Sequence, residues 1–139
     1  MIPLSDRDIM DKLQGRTNIF MYSDLGGIED VDDLLKDDSC VILYENKPRN
    51  GHWVCLVRYK DKGTIEFFDS YGLFPDKQKD HMNKRFLRDT QQTYNKIAEL
   101  LWNARDRYRS SSITIDYRNG ARTWRHVVDM LLPGSKSRV

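Results

Sequence analysis

At 139 residues the chain has the length of one domain, able to bury about two-thirds of its unfolded surface. Its 39% hydrophobic and 32% charged residues describe a soluble globular protein, and no apolar run approaches the roughly 20 residues of a membrane span. A net charge of +2 gives no global field that would draw nucleic acid, and the N-terminus lacks the basic-then-apolar order of a secretory signal.

Ser5, with Asp6, Asp8, Ile9, Met10 and Leu13 behind it, predicts a short capped helix stopped by Gly15. Asn18 to Asp24 is mixed, with Ile19, Phe20 and Tyr22 expected on the core, and Gly26-Gly27 reads as a loop. Ile28 to Lys36 has apolar residues at helical spacing and acids crowding its first turn, which predicts a helix. Cys40 to Tyr44 is a continuous apolar run and predicts a central strand. Asn50-Gly51 turns the chain into a second strand through Arg58, and Asp61-Lys62-Gly63 is a hairpin signal leading to a third, Thr64 to Gly72. Residues 77 to 109 read as mostly helical, in two amphipathic pieces marked by Met82, Phe86 and Leu87 and by Tyr94, Ile97, Ala98, Leu101 and Trp102. Ser112 to Tyr117 predicts a short strand, Arg118-Asn119-Gly120 a turn, and Ala121 to Leu132 a last helix. Residues 133 to 139 read as a flexible tail, so the chain is expected to be one domain of 1 to 139.

Chemistry concentrates at two places. His52 opens one strand and Asp69 closes the next, the arrangement of a general base and the carboxylate that orients it. Cys55 is the tempting nucleophile, but three residues along a strand from His52 it faces the other way, so both Cys55 and Cys40 are expected in the core, reduced, in an intracellular protein. His81 and His126 read as surface or helix-face residues, and no Cys/His spacing predicts zinc, so neither a metal nor a cofactor is expected. Arg105, Arg107, Arg109, Arg122 and Arg125 read as a solvated basic face. A residue at the first position of the last helix would sit where unpaired N–H groups stabilise an anion, and a cysteine there would have a depressed pKa; the residue present is Ala121.

Gly51-His52-Trp53, then Phe68-Asp69-Ser70-Tyr71-Gly72, then a late apolar helix resemble the adenovirus maturation protease, and with it the SUMO-deconjugating cysteine proteases. In that family the order is His, then Asp or Glu, then Cys in a Cys-Gly-x-aromatic pattern at a helix start. Ala121-Arg122-Thr123-Trp124 fits that pattern with Ala for Cys, and Arg125 to Leu131 looks like the proteases of virophages and large DNA viruses. The likeness runs in order from about residue 40 to 132. Arg122 departs from the usual Gly, and Thr114 and Ile115 stand where the family places an oxyanion-hole Gln, which leaves Asn119 or the backbone N–H of residue 121 as donor.

The resemblance implies an α+β, papain-like fold with a small mixed central sheet and flanking helices. It implies a viral cysteine endopeptidase cutting capsid or core precursors in the virion, virus factory or host cytoplasm, with His52, Asp69 and position 121 as its triad. Ala121 makes this form inactive, by engineering or as a natural inactive homologue. Gly51 and Trp53 are implied at the substrate path: if the strand bends at Asn50-Gly51, the indole narrows a channel and favours Gly-Gly-x sites. An isopeptidase acting on a SUMO- or ubiquitin-like tail and an inactive protease-like binding module are the alternatives. Adenovirus relatives use DNA and a peptide as activators; no motif here implies either, nor a membrane.

Overall fold

A computed structural model describes residues 18–47, 50–69 and 71–113. Five strands form one mixed sheet in sequence order: β1 (Asn18–Met21), β2 (Ser39–Lys47), β3 (Asn50–Tyr59), β4 (Thr64–Asp69) and β5 (Arg109–Ile113). The β2–β3–β4 centre is antiparallel, and β1 and β5 add in parallel at the two edges. The architecture is α+β with a mixed sheet, the coarse class that the resemblance implies.

The central strands form where the apolar runs are. Cys40 to Tyr44 and Trp53 to Leu56 are fully or nearly fully buried. A strand covered on both faces reads as a continuous apolar run, without the in–out alternation of a half-solvated one. Cys40, Ile42, Tyr44, Val54, Leu56, Ile65 and Phe67 share one face with Leu25, Val31, Leu34 and Leu35 and with three helical residues, Ile97, Leu100 and Leu101. Val41, Leu43, Trp53, Cys55 and Phe68 alternate with them and are also buried. The hairpin signal at Asp61-Lys62-Gly63 is met: a 3-10 turn, Lys60–Lys62, ends on Gly63 at φ 63.

Four expectations change. Ile28 to Lys36 forms only a 3-10 turn, Val31–Asp33, capped by the Asp30 carboxylate on the Asp32 N–H at 2.8 Å. It cannot lengthen because Leu34 and Leu35 are both buried and Asp38, at φ 66, already swings the chain into β2. Asn18 to Met21 is a strand, an edge pairing that a four-residue stretch gains only from its neighbour β2. The 77–109 region is more broken than its periodicity predicts: a 3-10 turn, Lys77–His81, then α1 (Lys84–Asp89) and α2 (Lys96–Asn103). Asp76 at φ 69 precedes the first, Asn83 caps α1 by accepting the Phe86 N–H, and Gln91 at φ 59 ends it. The last strand begins earlier than predicted, at Arg109, and the segments expected at 5–15 and 114–139 lie outside the described residues.

Side chains far apart in sequence close the backbone gaps these breaks open. Beyond Leu43, β2 has outrun its β1 partner, and Gln92 takes the vacated place: its amide accepts the Glu45 N–H at 3.1 Å and donates to the Glu45 carbonyl at 3.0 Å. A third bond reaches Thr90 Oγ1 at 2.7 Å. Gln92→Ala deletes all three from a fully buried site. The expected loss is about 2–4 kcal/mol of unfolding free energy in urea, and a loss under about 0.5 kcal/mol would deny Gln92 this role. The N-terminus of α2 is held in the same non-local way. The Lys96 N–H donates to the Tyr22 hydroxyl and the Ala98 N–H to Asp76 Oδ2, each at 2.7 Å. The Tyr22 hydroxyl lies 2.7 Å from Asp76 Oδ1 and 2.6 Å from the Tyr94 carbonyl, either of which accepts its one proton. Burial pushes the Asp76 carboxyl up, while the Ala98 N–H and Tyr22 hydroxyl hold it down.

Candidate active site

The start of β3 and the end of β4 meet in the sheet, with Val54 opposite Asp69. Residues opposed in an antiparallel pair share a face. His52 and Val54, two apart on β3, therefore share the face of Asp69. The His52 Nε2 lies 2.7 Å from Asp69 Oδ1. The imidazole is 13% exposed and the carboxylate 1%. A carboxylate only accepts, so Nε2 carries a proton and donates, and in the neutral imidazole it is Nδ1 that keeps the lone pair.

The β4 end is shaped to hold that carboxylate. Asp69 Oδ1 also accepts the Tyr71 N–H at 2.8 Å, and the Gly72 N–H returns to the Asp69 carbonyl at 2.8 Å. Gly72 sits at φ 76, a conformation glycine adopts without strain. Asp69 Oδ2 is buried and has no hydrogen-bond partner among the described residues. Tyr71, brought round by this turn, lies flat on His52 with ring centroids 4.6 Å apart and planes 8° from parallel. Tyr44, opposite His52 on β2, is parallel to the imidazole within 6° at 6.5 Å. The Tyr44 hydroxyl accepts the Asp76 N–H at 2.8 Å, which ties this ring to the cap of α2.

Gly51 has a packing reason. A Cβ there would stand 1.9 Å from the Tyr44 carbonyl oxygen, because β2 bulges between Glu45 and Lys47 and brings its backbone onto Gly51. The glycine lets β2 and β3 close together at the level of His52.

Trp53 requires a correction. The narrow-channel expectation needs a bend at Asn50-Gly51, but β3 pairs with β2 from Asn50 onward and Trp53 lies opposite Leu43. Its side chain therefore leaves the sheet on the face away from His52 and is 1% exposed, with its Nε1 unpartnered among the described residues. Nothing in its placement supports a Gly-Gly filter beside the imidazole.

Cys55 is fully buried and alternates away from His52, as its spacing predicts. Burial pushes the Cys40 thiol up to about 12 and the Cys55 thiol well above its ordinary range, so neither is a thiolate at neutral pH. His81 is exposed. The arginine face is only partly free: Arg107 pairs with Asp30 and Asp32 at 2.8 Å each, while Arg105 lies over the Trp102 ring. Ala121 and Asn119, with Arg122, Arg125 and His126, lie outside the described residues. Among the described residues no His/Cys/Asp/Glu group is placed to hold a metal ion, and no helix is long and apolar enough to cross a membrane. Sequence reasoning missed Tyr71 and Tyr44 as imidazole neighbours. Tyr71 follows Asp69 by two in a Gly-closed turn, a signal that was present.

The fold and site together define a mixed α+β domain with a carboxylate-held histidine on which Tyr71 stacks, with the Tyr44 ring parallel to it at 6.5 Å. The chain is similar to a viral protein. It is 36% identical over 101 residues to "Uncharacterized protein V9" of Sputnik virophage, an alignment covering 72% of this chain and 57% of that protein, so it spans a little over half of the relative's length. No family model and no solved structure matches the sequence.

Proposed function

We propose that His52 and Asp69 are the base half of a viral cysteine endopeptidase centre, with position 121 as the place of the nucleophile. The observation that carries this reading is the 2.7 Å contact from His52 Nε2 to an Asp69 carboxylate that is 1% exposed, which leaves Nδ1 as the free basic nitrogen. An imidazole so held takes the proton of a cysteine thiol through Nδ1 while the thiolate attacks a peptide carbonyl. It then returns that proton to the departing amine, and water releases the acyl group. The N–H of residue 121, with Asn119 beside it, would meet the oxyanion. The substrate would be a capsid or core precursor, cut during virion maturation inside the infected cell. With Ala121 in place no thiol is available, and the chain binds such a segment without cutting it.

The test is Ala121→Cys incubated with a peptide library and read by mass spectrometry. Cleavage is expected in this background. His52→Ala should abolish it, and Asp69→Ala should lower it by less, because the base survives the loss of its orientation. Full cleavage without His52 would show that another group is the base. Hydrolysis only of conjugates to a ubiquitin-like tail would move the reading to an isopeptidase.

A further inference from the structure

We propose that the groove between α2, the Phe74-Pro75 turn and the start of β5 docks an acidic, apolar segment of a partner protein. The groove is a cavity of about 640 Å³, the size of sites that take several side chains. Its lining includes neither His52 nor Asp69. Leu101 and Ala98 contribute from α2. Trp102 and Phe74 flank it and are 64% and 67% exposed. Helix α2 already buries Ile97, Leu100 and Leu101 against the sheet, so an indole turned to water adds nothing to that packing. Two large rings exposed on one concavity mark a contact surface.

Charge selects the occupant. Arg105 and Arg109 stand among the lining residues, and no carboxylate does. The Arg105 guanidinium is 4.1 Å from the Trp102 ring centroid and donates to the Trp102 carbonyl at 2.9 Å, so it is held in place over the groove. Neither arginine has an ion pair among the described residues, whereas neighbouring Arg107 is taken up by Asp30 and Asp32. Apolar walls under two cations, one of them held against Trp102, fit leucine or phenylalanine side chains flanked by aspartate or glutamate. Nucleic acid fits less well: two cations and a net charge of +2 do not make the ladder of phosphate contacts that its binding needs.

The experiment uses the intact chain and fluorescence anisotropy, and does not depend on position 121. The probe is a short fluorescein-labelled peptide of alternating leucine and glutamate. Saturable binding is expected, weakened about tenfold or more when lysine replaces glutamate or serine replaces leucine, and likewise by Trp102→Ala. Arg109→Glu, an exposed change on the edge strand, provides a second variant that leaves the core alone and should weaken binding similarly. Binding of the lysine peptide as tight as that of the glutamate peptide, binding unchanged in both variants, or tighter capture of labelled oligothymidine would each overturn the proposal.

Discussion

Ala121→Cys is expected to create a thiol that iodoacetamide labels at least about 1,000-fold faster than Cys40 or Cys55 at pH 7. The expectation rests on thiolate fractions. With burial pushing its thiol up to about 12, Cys40 is almost wholly protonated at neutral pH, and Cys55 is pushed well above its ordinary range too. A cysteine beside an imidazole at a helix start has a pKa of roughly 3.5–7.5 and is largely ionised there. The lower nucleophilicity of a low-pKa thiolate recovers only part of that contrast. Burial of both native thiols widens it again. Peptide mapping after timed alkylation gives the three rates. Equal, slow labelling of all three in the folded variant would sink the placement of the nucleophile.

Gly51→Ala should be the most damaging single change near the site. A methyl 1.9 Å from the Tyr44 carbonyl oxygen overlaps backbone that no side-chain rotation can move. Either β2 and β3 separate where His52 sits, or the domain unfolds; an expected cost of about 4 kcal/mol or more puts it among the exceptional substitutions. Thermal unfolding followed by circular dichroism measures this. A melting temperature within a few degrees of the parent would mean that β2 and β3 do not approach so closely.

Much of the site was legible because strands obey a period of two. Two apolar runs joined by Asp-Lys-Gly give an antiparallel pair, and once Val54 stands opposite Asp69 the imidazole of His52 reaches the carboxylate. The same rule placed Cys55 away from His52, and it also turns Trp53 away; only an assumed bend argued otherwise. What was not legible is non-local. Gln92 finishing the edge of β2 and Asp76 capping α2 join residues 47 and 22 apart, with no local pattern announcing either. Helical periodicity over 77–109 was real but overruled by Asn83 and Asp76, residues suited to caps and left-handed turns, and by Gln91 at φ 59.

The Nδ1 side of His52 is proposed to serve a nucleophile at position 121. The most direct measurement is the pH profile of iodoacetamide labelling at Cys in Ala121→Cys, taken with His52 present and with His52→Ala. An imidazolium beside the thiol keeps it ionised into acid, so labelling should persist down to about pH 5–6 with His52. Without His52 the profile should move to the ordinary thiol midpoint of about 8.5. Two superimposable profiles would contradict the account, because they would mean that His52 does not face position 121.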